Sequence, residues 1–267
     1  MILLASDLTC NGQDSLIDSG REQAIIALAR GNVYNLLASI YGSAPSPRVI
    51  AAIVDGTLPQ ALRDAGLDHL AHDLEVHAQG RDCQELLHEL EVEYARLFTV
   101  PGPGSVPLYQ SLYCDEGDGN GEERTHERNR FDKRQLWGEA AVAAQRMYRE
   151  AGLAVSGDLP EIPDHIALEL QFMHHLCSRE AQALNANHIE AAEESVRLQK
   201  AFAQARLIPW VERFCQTLRD TTDHPFYTAM ADLTVAFVLG DAVELQAGPD
   251  DAASTAEQCP VAPLIAW

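Results

Sequence analysis

The sequence predicts an all-α fold, a single-domain helical bundle of roughly eight to ten helices, and three observations carry the prediction. Apolar residues recur at helical spacing through most of the chain. No stretch alternates with the period of a strand, and no repeat of fixed length appears. The 267 residues, 46% of them hydrophobic, supply a sizeable core within the length of one large domain or two small ones. Neither half has an obvious core of its own, so one domain is expected over residues 21–246. A flexible segment (1–20) precedes it and an Ala/Pro/Asp-rich tail (247–267) follows it.

In chain order, Ile25, Leu28, Val33, Leu36, Leu37 and Ile40 predict a helix from about Arg21 to Tyr41, ended by Gly42 and the APSP after it. Shorter helices follow, with Pro45 or Pro47 near one start and Thr57 capping another ahead of Pro59. The stretch GLDHLAHDLEVHAQG reads as a helix bounded by glycines. The next runs from about Asp82 to Phe98, with the stripe Leu86, Leu87, Leu90, Tyr94, Leu97 and Phe98. It stops in VPGPGSVPL, where Pro101, Pro103 and Pro107 alternate with Gly102 and Gly104. The polar, glycine-rich CDEGDGNGEERTHERNR then predicts an excursion over 114–130 that makes no core. An Ala-rich helix is expected from about Phe131 to Ala151, and SGDLPEIPDH reads as a linker. Pro163 is expected to begin a helix with rows Ile166, Leu170, Met173, Cys177 and Glu169, Phe172, Leu176, broken at NANH. A further helix, Ile189 to Leu207, bends near Pro209 and continues through Val211, Phe214 and Leu218. His224 and Pro225 start the last, FYTAMADLTVAFVLGDAVEL, with Phe226, Tyr227, Leu233 and Phe237 as core.

The formal net charge is -21, from 19 basic and 40 acidic residues. That excludes nucleic acid as the main partner, because phosphate contacts need clustered Lys and Arg. It suits either a protein kept soluble by its charge or one that attracts a basic partner. The N-terminus has no basic region and soon reaches Asp7, a poor signal peptide. No segment approaches the roughly 18 uninterrupted apolar residues of a span. A cytoplasmic protein without stable membrane insertion is expected. The six cysteines form no CxxC pair, as suits reduced, mostly buried thiols.

Motifs of catalysis are scarce. His69, His72, Asp73 and His77 could share a helical face, and His174, His175 and Cys177 form a second grouping. Neither has a recognised metal spacing, HExxH is absent, and such histidines are more often solvent-facing or satisfied in the core. There is no GxSxG elbow, Ser105 and Ser111 lack recognisable partners, and GPG lacks the Lys and Ser/Thr of a phosphate loop. No cofactor is expected. Asp164 and His165 fall just after Pro163, in the expected first turn of a helix. Asp there serves the helix N-terminus, while a polar pair at a helix mouth beside an apolar groove could bind a peptide or an arginine.

Three pieces then line up in order. EVEYARLFTVPGPGSVPLYQSLY (91–113) resembles the E-Y-x-x-L-F-x-G-P-G…P-P-Y-E-S-V-Y signature of the TorD/DmsD/NarJ family of molybdoenzyme maturation chaperones. IPDHIALELQFMHHL resembles that family's P-D-H-x-x-x-E-L-x-F-M element, and the segment from Trp210 through HPFYTAMADLT is similar to its C-terminal helices. The resemblance covers roughly Ala24 to Ala242. It implies a cytoplasmic, all-helical, non-enzymatic chaperone. Such proteins bind the catalytic subunit of a dimethyl sulfoxide reductase-superfamily molybdopterin enzyme, often through its twin-arginine leader, until the molybdenum cofactor is inserted. The alternative from another class is a helical metal- or cofactor-binding enzyme using the His-rich helices. The client-binding residues implied are Glu93, Tyr94, Leu97, Phe98, Pro101, Pro103, Pro107, Tyr109, Ser111 and Tyr113, with Asp164, His165 and Glu169. Val100, Leu108 and Gln110 stand where the family usually has Gly, Pro and Glu. The sequence leaves open a monomer or a dimer.

Overall fold

The apolar periodicity resolves into ten α-helices among the described residues of the computed structural model, which are 10–64, 66–114, 138–153 and 162–247, with 10–19 described by backbone alone. These are α1 (Cys10–Gly42), α2 (Pro47–Val54), α3 (Thr57–Asp64), α4 (Asp68–Ala78), α5 (Cys83–Tyr94), α6 (Glu139–Glu150), α7 (Ile166–Asn185), α8 (Ile189–Phe202), α9 (Val211–Thr221) and α10 (Pro225–Ala247). Wide turns at Ala95–Thr99 and Ala203–Leu207 close α5 and α8, and a short 3₁₀ turn spans Gln110–Leu112. No strand is present among the described residues, only an isolated bridge. The all-α bundle expected from the sequence is what forms.

Local chemistry sets the boundaries. Asp82 caps α5, its carboxylate accepting the amides of Gln84 (2.8 Å) and Glu85 (3.3 Å). Gly66 and Gly80 take left-handed backbone (φ 73° and 72°) on either side of α4, where a side chain would be strained. Asn187, at φ 57°, turns the chain between α7 and α8. Four boundaries differ from expectation; one is the Ala-rich helix, which opens at Glu139 behind an extended Gly138 cap rather than near Phe131. α1 begins at Cys10 rather than near Arg21, because CNGQDSLIDSG is helical without an apolar stripe to signal it. Pro163 lies within a turn closed by the His165 amide on the Ile162 carbonyl (3.0 Å), and α7 opens only at Ile166 with His165 as its cap. Thr57 is the first residue of α3, and its amide is accepted by Asp55. The excursion beyond Cys114, residues 131–137 of the expected Ala-rich helix, the linker core and the tail lie outside the described residues.

α1 is the central rod. It runs antiparallel to α7, and two glycines permit the approach. A Cβ on Gly31 would sit 3.2 Å from Cys177 Cβ, and one on Gly42 3.2 Å from Ala167 Cβ. On another side α1 lies antiparallel to α10, through Tyr34 to Asp241 (2.7 Å) and Tyr41 to Thr234 (2.8 Å). Arg30, only 7% exposed, sits where four helices meet. Its guanidinium donates to Asp241 on α10, to Glu180 on α7 (3.3 Å) and to Gln199 on α8 (2.6 Å). A charge so buried persists only when paired and hydrogen-bonded. By length and composition α10 could cross a membrane. Here most of its apolar residues from Phe226 to Leu245 line the core, Val243 being exposed, and Asp241 joins the buried network.

Candidate functional site

The loop after α5 is built by folding back on its own helix. The Val100 amide donates to the Ala95 carbonyl (2.8 Å), widening the last turn, and the Val106 amide returns to the Leu97 carbonyl (2.7 Å). Between them a tight turn closes through the Ser105 hydroxyl, which donates to the Gly102 carbonyl (2.8 Å). Arg96 straps this loop to the bundle. It pairs with Glu93 and donates to the Thr221 carbonyl at the end of α9 (3.1 Å). A Cβ on Gly104 would sit 3.1 Å from Arg96 Nη1, so a side chain there would press on the strap.

Past Pro107 the chain clasps the segment ahead of α7. The Ile166 amide donates to the Leu108 carbonyl (2.8 Å) and the Gln110 amide to the Asp164 carbonyl (3.0 Å), forming an antiparallel bridge of Tyr109 with His165. The two rings meet edge to face at 5.1 Å. Asp164 Oδ2 accepts the Ser111 amide (2.9 Å), and His165 Nδ1 accepts the Ala167 amide (3.1 Å) to cap α7. Two motifs some fifty residues apart thus become one substructure.

A pocket of about 280 Å³ opens against this clasp. Tyr94 and Phe98 form its floor, Val100 and Pro101 its outer rim, and Pro107, Tyr109 and His165 its wall. The floor is braced by an aromatic cluster, with Phe98 edge-on to Tyr94 (5.2 Å), Tyr227 (5.9 Å) and Tyr41 (6.2 Å).

Of the residues singled out in the sequence, Tyr94, Phe98, Pro101, Pro107, Tyr109 and His165 come together here. The others surround it without lining it. Leu97 is buried beneath, and Pro103 is exposed on the loop tip. Glu93 is engaged by Arg96 and the Thr222 hydroxyl. Ser111 is tied to Asp164, and the Tyr113 hydroxyl donates to the Pro107 carbonyl (2.8 Å) while its ring lies on Trp210 (5.4 Å). Asp164 and Glu169 are each 0% exposed. Burial raises both carboxyls above their ordinary range. The Ser111 amide opposes the rise at Asp164, and the Trp210 indole N–H (3.1 Å) opposes it at Glu169. Sequence reasoning missed Gly42, Thr99, Ser105 and Val106 as lining residues. Gly42 carried only a helix-stop signal, Ser105 stood out only as a nucleophile, and nothing in the local pattern marks the other two.

The three departures from the family pattern separate in space. Val100 is 58% exposed on the rim, whereas Leu108 and Gln110 are buried. Gln110 faces inward, donating to the Arg206 carbonyl (3.1 Å) and accepting from Arg206 Nη1 (3.1 Å). The neutral residue there changes an internal contact. Neither histidine grouping read from the sequence is gathered. His69 and His72 are exposed, and His174 Nδ1 contacts the Gly31 carbonyl (2.8 Å). Among the described residues, the side chains that could share an ion are His77, Glu89 and His224.

Comparison with known proteins places the chain among relatives. The family model described as nitrate reductase delta subunit matches residues 59–216. A chaperone protein TorD of Shewanella amazonensis is 30% identical over 228 residues, spanning 78% of this chain and 88% of its own length. Chaperone proteins TorD of Shewanella pealeana and Colwellia psychrerythraea are 25% and 26% identical, covering 81% and 80% of this chain and 90% of each relative. No solved structure gives a significant match.

Proposed function

The chain belongs to the TorD/DmsD/NarJ family of molybdoenzyme maturation chaperones, and from that premise we propose that it is a cytoplasmic, client-specific chaperone. On this reading it holds the apo catalytic subunit of a dimethyl sulfoxide reductase-superfamily enzyme, by its twin-arginine leader, until the molybdenum cofactor is inserted. The observation that carries the reading is the pocket walled by the Tyr109–His165 clasp. At about 280 Å³ it falls just below the range of small-molecule sites, and suits one or two apolar side chains of a captured segment. Its stiff proline loop loses little conformational freedom on closing over a chain.

The net charge of -21 favours encounter with an arginine-bearing leader. Asp164 and Glu169 do not meet those arginines on this reading. Both are fully buried, Asp164 holding the clasp through Ser111 and Glu169 holding Trp210, and on this reading the guanidinium groups meet surface carboxylates. A pull-down from the native host should recover a large molybdoenzyme subunit. Calorimetry with that subunit's leader should then show binding that weakens about tenfold or more in Tyr109→Ala, circular dichroism remaining helical. Unchanged affinity would sink the pocket assignment.

A further inference from the structure

We propose that His77, Glu89 and His224 form a binding site for one divalent transition-metal ion of the zinc type. The three come from separate elements: the last turn of α4, the middle of α5 and the residue before α10. Glu89 Oε1 lies 3.2 Å from His77 Nε2 and 3.2 Å from His224 Nε2, and the three donor atoms all fall within 4.8 Å of one another. Around a tetrahedral zinc with bonds of about 2.0–2.1 Å, neighbouring donors stand about 3.3 Å apart. Two of the three separations already have that value, and modest side-chain rotation closes the third. Two imidazoles and one carboxylate form a recognised zinc donor set that leaves a fourth position for water.

Two neighbours define what the ion must displace. The Arg81 guanidinium now supplies the positive charge, pairing with Glu89 Oε2 and lying 3.0 Å from His77 Nε2. Its side chain is one-third exposed, in the short connection between α4 and α5, so it can turn out to solvent. His224 Nδ1 accepts the Phe226 amide at 3.2 Å, which leaves the ring proton on Nε2. That Nε2 is buried on a side chain only 10% exposed, and its approach to Glu89 Oε1 at 3.2 Å is an ion-pair contact without good hydrogen-bond geometry. Coordination through Nε2 moves the proton to Nδ1, and so gives up the Phe226 contact. A buried imidazole nitrogen that shares one carboxylate oxygen with a second imidazole is the feature that a simple surface ion pair does not explain.

The bound ion would join α4, α5 and the start of α10 on the helix that also carries Glu93, whose carboxylate accepts the Thr222 hydroxyl. It would therefore act as a clip on the support of the proline loop.

The test uses tag-free, full-length protein stripped with chelator and titrated with Zn²⁺ by calorimetry and with Co²⁺ by visible absorption. One ion per chain, tetrahedral Co²⁺ bands, and a loss of affinity of more than about tenfold in both His77→Ala and Glu89→Gln are expected. Arg81→Ala should bind more tightly, because it removes the competing cation. Glu89→Gln preserves side-chain shape and guards against a variant that merely misfolds. No stoichiometric binding by the unaltered protein overturns the proposal. So does binding that survives both substitutions, or an Arg81→Ala variant that binds more weakly.

Discussion

Tyr109 and His165 face each other across a single antiparallel bridge, and their rings meet edge to face at 5.1 Å. The pairing fastens the far end of the proline loop, whose near end Arg96 straps to α9, to the cap of α7. The wall of the pocket therefore depends on a contact between two distant segments. A double-mutant cycle with Tyr109→Ala and His165→Ala should show a coupling of about 0.5–1.5 kcal/mol in urea unfolding, the range of an edge-to-face ring pair. Additive losses would mean that the rings only adjoin.

Asp164 works behind that wall. Its Oδ2 accepts the Ser111 amide inside the protein. Asp164→Ala leaves this donor unpaired and should cost about 1–3 kcal/mol, while Asp164→Asn keeps an acceptor and should recover most of the loss. Leader affinity should follow the same order. Equal affinity in all three proteins would show that the clasp can loosen without consequence for binding.

How much of this was legible beforehand depends on where the physics lies. The helices were, because burial on one face imposes a 3.6-residue period, and α4 and α5 appear almost where glycines and Asp82 set them. The start of α1 was not, since its first turns carry no apolar stripe. The loop and the Asp-His pair stood out as odd residues, yet their joining did not. A bridge between Tyr109 and His165 is a long-range event with no local signal. For the same reason Asp164 looked like a helix-terminal acid or an exposed anchor, and not a buried support for Ser111. The His77, Glu89 and His224 grouping escaped because His224 lies far along the chain from the other two, on a third element.

Glu169 gives a pH prediction of definite sign. Burial raises its folded pKa well above the ordinary 4.5, against the indole N–H of Trp210. The folded state thus favours the protonated acid. Its stabilising contribution is complete below the unfolded value and is lost as pH rises through the folded one. Glu169→Gln mimics the neutral acid and removes this dependence. The substituted protein should gain stability relative to the unaltered chain as pH rises from about 5 to 8. Asp164, shifted in the same direction, should leave a smaller slope of the same sign in the variant. Denaturation curves across that range check it, and parallel pH profiles would refute a neutral Glu169.

The exposed and buried departures from the family pattern should behave differently towards a client. Val100, 58% exposed, projects at the rim, and Gln110 is enclosed with Arg206. Val100→Asp places a charge at the mouth without disturbing the core, so stability should change by less than about 0.5 kcal/mol. Leader affinity should change markedly, because an apolar side chain entering the pocket passes that rim. Gln110→Glu restores a carboxylate beside Arg206 but loses the amide donor to the Arg206 carbonyl. Its net effect should be a loss of stability of about 1–3 kcal/mol, since burying the carboxylate and setting an oxygen against the Arg206 carbonyl outweigh the added pairing with its guanidinium. Leader affinity should hold in that variant. If Gln110→Glu instead retunes binding and Val100→Asp does not, client choice is written inside the clasp and transmitted through Arg206, and the rim is only a passage.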